Sequence, residues 1–139
     1  MPEPEKEAAD KIAELIENEK AALIDSFLQM QLLELSPGYA RVTIKPNPEY
    51  LNGVGMVFGG IIMSVADRAF AYACNSITYP SVASQFNMHF IAAPGIDDEI
   101  IAECRVLHGG RRVGVCEMTV TNQDGKLIAK GTATSIPVG

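Results

Sequence analysis

The sequence has no tryptophan, only two histidines and three cysteines, and no basic excess. Eleven Lys and Arg stand against seventeen Asp and Glu, for a net charge of −6. That balance excludes the basic stripe with which a nucleic-acid-binding domain neutralises phosphates. Cys74, Cys104 and Cys116 are odd in number and fall in no CxxC or metal-like spacing. They fit reduced structural thiols in a cytoplasmic protein better than a disulfide framework or a zinc site. No stretch of about 18 apolar residues is free of charge and turn signals, so no membrane span is expected. The opening residues are acidic and helix-like, unlike a signal peptide. What is present is ordinary globular composition: 139 residues, 47% hydrophobic and 20% charged, read as one domain over 1–139.

Ile12, Leu15, Ile16, Leu23 and Phe27 recur at helical spacing among charged residues, predicting an acidic helix over about 3–27. Leu28 to Leu35 reads as a strand, Ser36-Pro37-Gly38 as a turn, and Tyr39 to Lys45 as the returning strand of a hairpin. A Gly-rich loop over 49–58 leads into a helix that opens at Gly59-Gly60 and runs to Ser76. Four strand-like runs follow, at 82–93, 99–108, 111–122 and 126–136. Their separators are Pro94 to Asp97, Gly109-Gly110 and the hairpin dipeptide Asp124-Gly125. The order predicts an α+β chain with a largely antiparallel sheet.

Charge is scarce where it is most informative. From Tyr50 to Ile96 only Asp67 and Arg68 are formally charged, and both fall in the middle of a helix apolar nearly all round. Such a helix is buried on most sides, with the sheet wrapped around it. A carboxylate there is costly unless it is paired or used. Pairing with another element, through Arg105 or Arg111, and a functional role both remain open. Steps of three and four from Asp67 give Gly60, Ser64, Ala71 and Asn75, a small or polar stripe suited to a narrow ligand or a second helix. At the helix start, Gly59 and Gly60 offer free N–H groups and the positive end of the dipole to an oxygen that becomes negative. Gly59 and Asp67 are eight residues apart, roughly 12 Å along a helix. They grip one reacting carbon only if two antiparallel copies share a site, as in a homodimer.

The segment Leu51 to Ser76, LNGVGMVFGGIIMSVADRAFAYACNS, resembles the loop and central helix of hotdog-fold acyl-CoA thioesterases of the phenylacetic-acid-degradation type. Asn52-Gly53, Gly59-Gly60, Asp67 and the run Ala69 to Ser76 carry the likeness, which extends over about residues 22–138. The resemblance implies a hotdog fold, a curved antiparallel sheet around one long central helix. It implies a homodimer or dimer of dimers with sites between subunits, and hydrolysis of an acyl-CoA substrate without metal or cofactor. It also implies roles: Asp67 as general base or nucleophile, the Gly59 N–H polarising the thioester oxygen, Asn52 assisting there, and Ser84 orienting water. Phe58 stands where the family has a histidine before the two glycines, so Phe58 and Gly60 would border the substrate. Gly110, Arg111 and Arg112 match the stretch near which relatives hold the CoA phosphates, though an ordinary basic turn reads the same way.

Other readings fare worse. Gly53, Gly55 and Gly59 give GxGxxxG, but no strand precedes the loop and no βαβ alternation follows, so a dinucleotide site is not expected. Ser64 has no G-x-S-x-G elbow, and Cys74 has no partner motif for a triad. A hotdog dehydratase would need the histidine that Phe58 replaces. The rival from another class is a non-catalytic acyl-CoA binder that lost the reaction with that histidine. Met56, Met63, Met88 and Phe86, with Phe58, could line an apolar tunnel, but at these spacings core packing is the default reading.

Overall fold

The computed structural model of the chain describes residues 2–139. Helices α1 (Glu3–Glu19) and α2 (Ile24–Leu28) precede the hairpin β1 (Met30–Ser36) and β2 (Tyr39–Ile44). The long helix α3 (Gly59–Asn75) is followed by β3 (Ser81–Phe90), β4 (Ile100–Gly109), β5 (Gly114–Thr121) and β6 (Leu127–Pro137). The six strands form one antiparallel sheet in the order β1-β2-β4-β5-β6-β3.

The pleat sorts the side chains. On β5, Gly114, Cys116, Met118 and Val120 are buried while the residues between them are half-buried, the period-2 pattern of a sheet with one covered face. That face covers α3, which packs against β2, β4 and β5. Val65, Ala66, Ala69, Phe70 and Ala73 of the helix are buried in one core with Val42, Ile44, Ile100, Ala102, Met118 and Val120. Three of those five helix residues are alanine, which lets the sheet close on the helix. This is the hotdog arrangement expected from the sequence.

Two boundaries differ from the expectation. The N-terminal periodicity does not make one helix to residue 27: the chain turns after Glu19 and α2 starts at Ile24, leaving Leu23 and Phe27 exposed. The reason is Arg68 on α3, which binds Glu19 and Asp25 together. In a continuous helix those two acids would be roughly 9 Å apart along the axis and about 120° apart around it, so one guanidinium could not hold both. Residues 111–113 belong to the β4–β5 turn, closed by the Gly110 N–H donating to the Val113 carbonyl, rather than to β5.

β3 is an edge strand with only β6 beside it. Its register depends on Gly131 of β6, where an added Cβ would strike the backbone of Asn87 and lie 3.1 Å from Met88 Cα. Gly131→Ala is therefore expected to cost about 1–3 kcal/mol by forcing β3 outward, read as a lower urea midpoint. An unchanged midpoint would show that β3 is loosely held.

Candidate active site

Asp67 lies outside the buried face of α3, toward the edge strand β3. Met63, Ser64, Asp67, Ala83 and Phe86 line a recess of about 290 Å³ between α3 and β3. Ser64 closes its own hydrogen bond inside the helix, donating to the Gly60 carbonyl at 2.7 Å. Among the described residues the Asp67 carboxylate has neither a hydrogen bond nor an ion pair. Arg105 instead stacks 4.7 Å from the Tyr39 ring centre, and Arg111 lies in the exposed β4–β5 turn. Pairing with either arginine is thus not what holds Asp67. Apolar surroundings raise its pKa above the usual 3.8, and the neighbouring Arg68 charge opposes that rise in part. In the single chain Asp67 is nonetheless exposed, so the carboxylate is open to solvent at the mouth of the recess. An unpaired, partly desolvated carboxylate at the mouth of a recess has the properties a general base needs.

The start of α3 supplies the complementary chemistry. Phe58 is the N-cap residue and provides no side-chain cap. The first backbone bond belongs to Ile61, which donates to the Phe58 carbonyl. The Gly59 and Gly60 N–H groups have no acceptor among the described residues, as expected for the first turn. Two aromatic rings flank them. The Phe58 ring occupies the space of a Gly60 side chain, with Cε1 2.7 Å from where a Cβ would be, and the Phe90 ring lies 3.4 Å from the same point on Gly59. A second recess, of about 270 Å³, opens here and includes Asn52, Met56, Gly59, Phe90 and Ile91. Asn52 Oδ1 accepts from the Val54 and Met56 N–H groups, both at 3.0 Å, and so shapes the 52–56 loop. Only its Nδ2 is left to donate.

The two recesses are separate in one chain, as the eight-residue spacing requires. Each is below the volume range typical of a pocket that buries a ligand of a few hundred daltons. Larger clefts of about 400 and 830 Å³ lie elsewhere, one between α1 and the end of α3 and one beside the β1–β2 turn. Neither contains Asp67 or Gly59, and cleft size does not outweigh the chemistry of the smaller recesses.

The other expected residues fall in three places. Ser84 occupies the β3 bulge, its hydroxyl donating to the Thr134 carbonyl at 3.4 Å, one residue from the Asp67 recess but not in it. Gly110, Arg111 and Arg112 form the β4–β5 turn, with both arginines exposed and without ion pairs among the described residues. That turn lies near Ile77 and Thr78, beyond the C-terminal end of α3, so α3 separates it from Gly59 by roughly 25 Å. Asn75, at the end of the small-residue stripe, ties α3 to β3 through the Ser81 N–H and carbonyl. His89 and His108 are exposed and line neither recess. Of the candidate tunnel residues, Met56, Met63 and Phe86 border a recess, while Met88 packs against the core.

Sequence reasoning missed Phe90 and Ile91, which border the Gly59 recess, and the partners of Arg68. For Phe90 the signal was the alternation of Phe86, Met88 and Phe90 along β3. For Arg68 the pairing is not local: Asp25 lies 43 residues upstream.

A sheet wrapped on one long helix, with a bare helix start and an unpaired mid-helix carboxylate, defines a protein of the hotdog class. The chain belongs to the thioesterase superfamily, whose family model matches residues 54–129. It is 34% identical over 112 residues to the acyl-coenzyme A thioesterase PaaI of Escherichia coli, covering 81% of this chain and 80% of that one. The structure of the E. coli PaaI protein, from the phenylacetic acid degradation operon, superposes with a TM-score of 0.86 over 95% of this chain and 94% of that one, at 30% identity. A Streptococcus mutans protein solved bound to acetyl CoA superposes with a TM-score of 0.76, at 26% identity, over 79% of this chain and 89% of that one.

Proposed function

We propose that this protein hydrolyses acyl-CoA thioesters to the free acid and CoA, at a site shared between two chains. The observation that carries the reading is the unpaired Asp67 carboxylate, set in a recess between α3 and the edge strand β3. Asp67 of one chain removes a proton from a water whose oxygen attacks the thioester carbon, or attacks that carbon itself to give a mixed anhydride that water then hydrolyses to the free acid. The Gly59 N–H of the other chain donates to the carbonyl oxygen as it becomes negative, with Asn52 Nδ2 as a second donor. The thiolate of CoA leaves, and no metal or cofactor is needed.

Geometry supports a shared site. β3 presents an unpaired edge, a template for a second copy of itself. A two-fold pairing there would lay two α3 helices antiparallel, the start of one beside the middle of the other, and would merge the two recesses. The same operation brings the Arg111-Arg112 turn of one chain toward the helix start of the other, on the side where CoA phosphates would need charge. Phe58, Phe90, Met56 and Phe86 then supply apolar walls for the acyl group, with Gly60 leaving room for the Phe58 ring. Ser84, one residue from Ala83 in the recess wall, is placed to hold water.

The test is thiol release from a panel of acyl-CoAs, followed with a thiol-trapping reagent across pH. The rate is expected to rise through one acidic limb displaced above 3.8, where Asp67 ionises. It should then stay flat from about pH 6.5 to 8, because neither histidine reaches a recess. A histidine-like inflection near pH 6.5 would reassign the base. Acyl-CoA binding without thiol release would replace hydrolysis with the binding-only reading that Phe58 permits.

A further inference from the structure

Arg68 is the buried charge of the central helix, and the reaction proposed above does not use it. Its side chain is 8% exposed. Nε and Nη2 grip the two oxygens of Asp25 at 2.7 Å each, Nη1 binds Glu19 at 2.9 Å, and Nη2 also donates to the Tyr72 hydroxyl at 3.1 Å. The guanidinium carbon lies 4.2 Å from the Tyr72 ring centre. Two carboxylates therefore share one cation, and both come from the N-terminal arm, α1 and α2. The arm has little else to hold it: Leu15 is the one buried residue of α1, and Leu28 that of α2. A fork-to-fork Arg–Asp pair with a second acid and an aromatic face is a strong, geometrically exact clamp.

Arg68 directly follows Asp67, but the two side chains leave the helix about 100° apart, so they meet only if the Arg68 side chain gives up its present partners and bends back around the helix. We propose that the N-terminal arm, through Asp25 and Glu19, holds the Arg68 guanidinium off the Asp67 carboxylate, making Arg68 and the arm positioning elements of the active site. This rests on Asp67 being the catalytic base. Released from the arm, Arg68 pairs with Asp67, lowers its basicity and occupies the recess that water or substrate needs. Apart from Arg68, the described residues that line the Asp67 recess carry no charge: Met63 and Ser64 on α3 and Ala83 and Phe86 on β3 are neutral. The Cys74 thiol, further along α3, is held neutral by burial, which pushes its pKa up to about 12.

The double variant separates this device from a simple structural latch. Asp25→Asn and Glu19→Gln loosen the clamp while leaving Arg68 charged, so the Asp67 titration should move down. Arg68→Gln removes the cation, so it should move up. Each shift is about half a pH unit, larger at low salt. The Asp67 carboxyl is followed by carbon NMR in the full-length protein, a readout that does not depend on turnover, alongside the acidic limb of kcat/KM. In Asp25→Asn, kcat should fall roughly tenfold with KM changed less. In the double variant Asp25→Asn/Arg68→Gln it should recover to within about twofold of Arg68→Gln alone, because no cation is left to invade the recess. Arg68→Lys keeps the charge and should titrate near the parent. A structural latch predicts instead that the double variant is worse than either single one; that result overturns the proposal. If Arg68→Gln fails to fold, the downward shift in Asp25→Asn and Glu19→Gln decides, and its absence is equally fatal. Loss of thioester hydrolysis in the unmodified protein would defeat the function and leave the NMR shifts to judge the clamp.

Discussion

Asp67→Asn is expected to lower kcat by about 10² or more, the scale of losing a general base, while KM changes little. It should also stabilise the fold at neutral pH. Burial raises the Asp67 pKa above 3.8 in the folded chain, so that chain holds the proton more tightly than the unfolded one. Stability then falls as pH rises from 3.8 through the raised value, and the deficit persists above it. Asn has no charge to desolvate and removes that deficit. Tm should be higher than the parent's at pH 7 and equal to it near pH 3, where Asp67 is protonated in both states. A residue kept for structural pairing would show the opposite: a lower Tm at pH 7 with activity retained in whatever folds. Differential scanning calorimetry at the two pH values, with steady-state kinetics, distinguishes the two.

Gly59→Pro is expected to cost roughly 10²–10³ in kcat, the scale of removing one oxyanion donor. The substitution deletes a single N–H with little else disturbed. Proline is favoured at the first position of a helix, where its missing N–H is one of the orphans. Phe58 already has the extended backbone, φ −58° and ψ 134°, that a residue before proline adopts. Gly59→Ala is the control, since it keeps the N–H and places a Cβ 3.4–3.8 Å from the Phe90 ring, ordinary contact. The alanine variant should stay within several-fold of the parent in kcat. Equal losses in both variants would mean that the ring contact, not the donor, is what Gly59 provides.

Much of this was legible in the sequence, for physical reasons. A helix apolar all round must be buried, so α3 and the sheet around it could be placed from Ile61 to Tyr72 alone. A charge in such a helix is expensive, so Asp67 and Arg68 stood out before any coordinate. The Pro37-Gly38 and Asp124-Gly125 turns fixed two hairpins, and Gly38 and Gly125 take the positive φ those turns demand. The end of α1 was not legible. Ile16, Leu23 and Phe27 continue a helical period, but the break is imposed by Arg68, whose partners lie more than forty residues away in sequence. Asn52 was read as assisting at the substrate carbonyl; that its own carbonyl oxygen is committed to the loop, leaving Nδ2 to donate, was not legible, although an asparagine followed by glycine readily caps its own turn. The two separate recesses on α3 could be anticipated only as a spacing, since which side of the helix the sheet leaves open is decided by strand order.

The central claim is that Asp67 and Gly59 of different chains form one site. Mixing Asp67→Asn with Gly59→Pro after subunit exchange tests it most directly. In a two-fold dimer, half of the randomly exchanged dimers are mixed, and each mixed dimer has one intact site and one carrying both substitutions. The mixture is therefore expected to recover about one quarter of the parent activity from two nearly inactive proteins. A mixture that stays at the level of its two components, with exchange verified by mass spectrometry, would contradict the shared site.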